Sequence, residues 1–77
     1  MTVMLNTKDI GSLVRKRRVE LGMTQTQLAD ISGNGTRFLS ELENGKATMQ
    51  IGKVLDLLHI LSLDIFIKPR GGIDNEA

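Results

Sequence analysis

The chain has no cysteine, one histidine and one proline in 77 residues. Without cysteine it has neither a disulfide nor a thiolate metal site. His59, with no second ligand near it, makes no metal centre. No apolar run approaches the roughly 20 residues of a membrane-spanning helix. Met1 to Lys8 lacks the basic head and apolar stretch of a signal peptide, so a cytoplasmic protein away from membranes is expected. Nucleophile–base pairs, paired carboxylates and phosphate-cradling glycine loops are missing as well, which argues against an enzyme and against any cofactor. The formal net charge is only +1.

That small charge is unevenly spread. Residues 1–46 hold seven Lys/Arg against five Asp/Glu, and residues 47–77 hold three against four. Four cations are consecutive, Arg15-Lys16-Arg17-Arg18. Local rather than net charge decides whether a phosphate backbone is attracted, although such a run is also what a solvated helix face looks like. A single domain this short buries only about 60% of its unfolded surface. With no cross-link available, dimerisation is the remaining route to added stability.

The hydrophobic spacing predicts a mainly α protein. A first helix runs from Asp9 to Leu21, capped by Asp9, Asn6 or Thr7, with Ile10, Leu13, Val14, Arg17/Arg18 and Leu21 at helical intervals. Gly22 ends it, and Thr24 caps a second helix with Gln27 three residues on, as in a capping box. In that helix Leu28 and Ile31 are expected to point inward, and Ala29 is small enough for a close helix crossing. Gly33-Asn34-Gly35 is the turn. A third helix follows from Thr36, with Phe38, Leu39 and Leu42 inward and Thr36, Arg37, Ser40 and Glu41 outward, and Asn44-Gly45 closes it. The fourth helix, about Met49 to Leu61, carries an apolar stripe of Ile51, Val54, Leu55, Leu58 and Leu61. Leu57 and Ile60 lie off that stripe and are assigned to a subunit interface.

Leu63-Asp64-Ile65-Phe66-Ile67-Lys68 alternates with period two and stops at Pro69, a strand signal. A lone strand cannot satisfy its own backbone, so its partner is expected to be the same strand of a second copy. The predicted homodimer interface is Leu57, Ile60, Leu63, Ile65, Phe66 and Ile67. The division expected is an N-terminal arm over 1–8, a helical domain over 9–62, a dimerisation strand over 63–69 and a flexible tail over 70–77.

Two short helices joined by a glycine turn, the second outwardly polar and basic, form the layout that presents one helix to the DNA major groove. Arg37, near the start of that helix, suits a bidentate contact to guanine O6 and N7. Thr36 and Ser40 share its face and can touch base edges or a thymine methyl, while Glu41 can accept from cytosine N4 or repel a wrong backbone. Gln25 and Thr26 occupy the first turn of the second helix, where free amides suit an anionic oxygen. With Asn44 and Lys46 they would contact phosphate and set register without reading sequence.

The run Gly22-Met23-Thr24-Gln25, Gln27-Leu28-Ala29, then Leu39-Ser40, Leu42-Glu43-Asn44-Gly45-Lys46 resembles the xenobiotic-response-element helix-turn-helix family, which includes the phage lambda and 434 repressors and Cro. The resemblance covers residues 9 to about 62. The stretch Thr36 to Lys46, then Lys53-Val54-Leu55 and a terminal strand, is similar to HipB-type antitoxins. It implies a four- to five-helix lambda-repressor-like domain with one β-strand paired across a homodimer. The implied function is a repressor that binds double-stranded operator DNA at palindromic sites. The implied partner is a HipA-type kinase toxin, directly or in a tripartite system. It further implies a phosphate clamp at Gln25 and a partly buried ion pair, Arg18–Glu43. The chain departs from that pattern at Asn34, where relatives place an aliphatic, at Ala47 in place of a proline, and at Ser62 in place of a glycine. Gly35 also stands where some relatives carry a basic reader. That glycine and the low net charge would suit the alternative, a protein-interaction module on the same fold.

Overall fold

In a computed structural model, residues 6–69 are described, and they form four helices and no strand. These are α1 (Thr7–Glu20), α2 (Gln25–Ser32), α3 (Thr36–Glu43) and α4 (Ile51–Ile60). The first five residues of the expected arm and the whole tail from residue 70 lie outside the described part. Asn6 starts α1: its side chain accepts from the Asp9 N–H at 2.9 Å, and Asp9 accepts from the Asn6 N–H at 3.2 Å. This reciprocal capping box puts Thr7 and Lys8 in the helix rather than in the arm.

Three of the four helices end alike. The N–H of Met23, Lys46 and Leu63 reaches the carbonyl five residues back, and the N–H of Gly22, Gly45 and Ser62 the carbonyl three back. This closure needs left-handed backbone at the residue just past the helix. Gly22 and Gly45 supply it at φ 72° and 81°, whereas Ser62 is held at 58°.

The core is Val14 from α1, Leu28 and Ala29 from α2, Leu39 and Leu42 from α3, and Val54, Leu57, Leu58 and Leu61 in and after α4. α3 packs against both α1 and α2, and α2 also touches α4. The α1–α3 crossing depends on Gly11. A Cβ there would collide with the Leu42 carbonyl oxygen and sit 3.0 Å from that of Glu43.

The inward face of α4 differs from expectation. Leu57 is fully buried in the core, so it is no subunit-interface residue, while Ile51 and Leu55 are exposed. A helix apolar on most sides offers two self-consistent stripes. The packing of its neighbours selects 54, 57, 58 and 61. Ile31, expected inside, is exposed on α2. Residues 63–69 take no regular secondary structure in the single chain. Leu63 packs on the core, while Phe66 and Ile67 are 84% and 91% exposed.

Candidate nucleic-acid interface

The second and third helices form a compact bihelical unit. Thr24 caps α2 by accepting from the Gln27 N–H at 3.1 Å, and Gln27 accepts from the Thr24 N–H at 2.8 Å. Gly33, in left-handed conformation, ends α2, and Gly35 is the cap of α3, without a side-chain hydrogen bond. Ser32 braces the corner: its hydroxyl accepts from the Asn34 N–H at 3.4 Å.

Along α3, Leu39 and Leu42 face inward and Phe38 is half-buried against the core, with the Lys53 ammonium 5.9 Å above its ring. Thr36 and Arg37 are exposed, and Ser40 and Glu41 are half-buried. Glu41 lies between two cations: Arg37 Nε is 3.4 Å from Oε2 and Lys46 Nζ is 3.4 Å from Oε1. Just past the helix, the Asn44 amide donates to the Ser40 hydroxyl at 3.5 Å. Thr36, Arg37, Ser40, Glu41, Asn44 and Lys46 thus come together on one side of α3 and its C-terminal turn.

Behind that surface, Arg18 and Glu43 pair at 2.7 Å, their side chains only 10% and 4% exposed. The guanidinium donates from Nε to Oε2 and from Nη2 to Oε1, and its Nη1 donates to the Met23 carbonyl at 2.7 Å. Gln25 adds a third bond to the carboxylate, Nε2 to Oε1 at 3.1 Å. The Arg18–Glu43 pair therefore ties the end of α3 to the end of α1, the α1–α2 turn and the start of α2. Burial pushes the Glu43 carboxyl up, but hydrogen bonds from Arg18 and Gln25 and the charges of Arg18 and Arg15 outweigh it, holding it below the ordinary range. The Glu43 hydrogen bond holds Arg18 more firmly protonated, against the cost of burial.

Gln25 is therefore partly committed to structure. The capping box satisfies the N–H groups of Thr24 and Gln27 and leaves those of Gln25 and Thr26 without a partner among the described residues. They are two outward donors at the positive end of a helix. Arg17, one of the four consecutive cations that together look like a solvated helix face, has a structural bond instead. Its Nε donates to the Leu61 carbonyl at 2.9 Å, tying α1 to the end of α4, and Glu20 lies 3.7 Å from its Nη1. Nothing local marks that bond, because its partners are 44 residues apart. Among the described residues no group of three His, Cys, Asp or Glu side chains is placed to hold a metal ion, and no helix is long and apolar enough to cross a membrane.

Comparison with known proteins bears on this surface. The helix-turn-helix family profile matches residues 14–66. An uncharacterized HTH-type transcriptional regulator, y4mF, of Sinorhizobium fredii is 49% identical, covering 82% of this chain and 83% of that protein. The ImmF control region 10 kDa protein of Bacillus phage phi105 is 30% identical, covering 96% of this chain and 91% of that protein. Among solved structures, the HipB-O4 20mer complex and the HipA-HipB-O2-O3 complex each superpose with a TM-score of 0.77 at 18% identity, covering 91% of this chain and 99% of the matched chain. At that identity the likeness is one of fold.

Proposed function

The chain belongs to the helix-turn-helix family, and from that premise we propose that it is a dimeric, sequence-specific DNA-binding repressor acting in the cytoplasm on its own operon. The observation that carries this reading is the outward face of α3, where Thr36, Arg37, Ser40 and Glu41 are presented together by a buried ion pair. In it, α3 lies in the major groove, Arg37 reads guanine, Thr36 and Ser40 touch neighbouring base edges, and Glu41 accepts from cytosine. The unpartnered amides of Gln25 and Thr26 hold one phosphate, and Asn44 and Lys46 another. Two subunits on a palindromic operator place their helices about one helical turn, 34–36 Å, apart.

The homodimer is proposed to form through residues 63–69. Apart from the Leu63 N–H, bonded to the Leu58 carbonyl, this backbone has no partner among the described residues. Phe66, Ile67 and Ile65 project apolar side chains outward. Pairing with the same segment of a second copy satisfies the backbone and covers these side chains together with Leu63 and Ile60. Leu13 and Leu55, exposed nearby on α1 and α4, join that face.

The likeness to HipB in complexes named for HipA and for O2, O3 and O4 supports a finer reading, the antitoxin of a HipA-kinase type operon. Gel shifts with the protein's own promoter region at about 0.1 M salt test the core of the proposal, since specific binding survives where non-specific binding weakens. A specific shift is expected. Arg37→Ala should lose sequence preference, and Gln25→Ala should weaken all sequences evenly. No specific shift would instead favour the protein-interaction module.

A further inference from the structure

The four consecutive cations divide into two pairs with different fates. Arg17 and Arg18 turn toward the protein, bonded to the Leu61 carbonyl and to Glu43. Arg15 and Lys16 are exposed and have no ion-pair partner among the described residues. With Ser12 they form one stripe of α1 at spacings of three and four residues, and this stripe lines an open concavity closed on its other side by Asn44 at the end of α3. Two carboxylates also line it, and both are engaged: Glu20 lies 3.7 Å from Arg17 and Glu43 lies 2.7 Å from Arg18. What remains is two cations, a guanidinium and an ammonium, with a hydroxyl and an amide that can each also donate.

We propose that this concavity between α1 and the C-terminal end of α3 seats a DNA phosphate flanking the one held by α2, so that Arg15 and Lys16 extend the backbone contact beyond the helix-turn-helix unit. The inference rests on the DNA-binding reading above and deepens it. Charge complementarity identifies the occupant, since a planar guanidinium fork beside an ammonium matches a phosphate oxygen pair. Continuity supplies the location. Asn44 belongs both to the concavity and to the proposed phosphate contacts, and Glu43 in its wall bonds Gln25 on the far side. Arg15 is near enough to that carboxylate for its charge to act on it. Such contacts add affinity without sequence information.

The test is fluorescence anisotropy on promoter and scrambled duplexes over about 50–200 mM salt, where each neutralised phosphate contributes about 0.9 to the slope of log affinity against log salt. The Arg15→Gln/Lys16→Gln protein should bind both duplexes more weakly by the same factor. Its slope should be shallower by about 0.9 for each cation lost in each subunit, with an unchanged melting temperature. Arg15→Lys/Lys16→Arg keeps the charges and should keep the slope. If the parent prefers its promoter while the glutamine pair has the parent's slope, or loses affinity for the promoter alone, this inference falls and the DNA-binding reading stands. A parent with no preference for its promoter overturns both.

Discussion

Replacing Glu43 with alanine should strongly destabilise the domain. The substitution removes the acceptor of three hydrogen bonds, two from Arg18 and one from Gln25. It leaves a guanidinium whose side chain is 10% exposed with a single remaining bond, to the Met23 carbonyl. Stranding a buried charge in this way costs about 3–5 kcal/mol. At roughly 0.05–0.15 kcal/mol per residue, the whole chain is stable by about 4–12 kcal/mol, so the variant loses between about a quarter of that and all of it. For a domain of this size each kcal/mol lowers the midpoint by about 4–8 °C, which predicts a drop of about 12–40 °C. Thermal and urea unfolding followed by circular dichroism at neutral pH measure it. The double variant Arg18→Met/Glu43→Leu separates the worth of the pair from the cost of stranding one member. It should recover much of the loss, because exchanging a whole buried pair for apolar groups is often neutral or better. The pair also sets a pH dependence. Glu43 has its carboxyl pKa depressed on folding. Its contribution is therefore complete above the ordinary carboxylate range and disappears as pH falls through the lowered folded value. Glu43→Gln should lack that component of acid destabilisation. A Glu43→Ala protein melting within about 4 °C of the parent, which is less than 1 kcal/mol at this size, would refute the reasoning.

Ser62→Gly should stabilise the domain: left-handed backbone costs an L-residue about 1–2 kcal/mol, of which glycine's freedom in the unfolded chain returns about 0.5–1, and a midpoint equal to or below the parent's would contradict this. Gly11→Ala should lower the midpoint although alanine is the better helix former by about 1 kcal/mol, because the new methyl meets the Leu42 carbonyl of a packed helix, and a raised midpoint would disprove that crossing. Phe66→Asp should shift the proposed dimer to monomer in sedimentation equilibrium while leaving the helical circular dichroism of the domain in place, and an unchanged sedimentation mass would remove residues 63–69 from the interface.

The parts of the fold legible in the sequence are those decided within a few residues. The Thr24–Gln27 box and the turn around Gly33 are local hydrogen-bonding and backbone problems with few solutions, and the residues present match them. What was not legible depended on distant partners. Gly11 looks like an ordinary weak point in a helix until Leu42 lies across it. Arg17 belongs to a run of like charges, and only the Leu61 carbonyl brought beside it distinguishes it from Arg15. The rotation of α4 was ambiguous because Ile51, Val54, Leu55, Leu57, Leu58, Ile60 and Leu61 leave little polar surface to mark an outer face. The ion pair Arg18–Glu43 was open to expectation only through family resemblance, since nothing in the local spacing joins residues 25 apart.

Of the three Arg–Glu pairs among the described residues, Arg18–Glu43 and Arg37–Glu41 have the same chemistry and opposite energetics, and the difference lies in burial. Arg18 and Glu43 are 10% and 4% exposed and meet at 2.7 Å, whereas Arg37 and Glu41 are 90% and 31% exposed and meet at 3.4 Å. Water screens the second pair, which is worth about 0–1 kcal/mol. Separating the first leaves a desolvated charge with little to solvate it, so Arg18 is fixed. Arg37 can exchange Glu41 for another acceptor at small cost, and a good bidentate contact to guanine discriminates by about 1–3 kcal/mol, more than the exposed pair supplies. Glu41 is not stranded by that exchange, because Lys46 still lies 3.4 Å from its other oxygen. The same arrangement removes the objection raised by a net charge of +1. Glu20, Glu41 and Glu43 each face a cation of their own neighbourhood. The cations left over at Arg15 and Lys16 lie on the side of α1 that meets the end of α3, beside Asn44, where the proposed backbone contact places a phosphate.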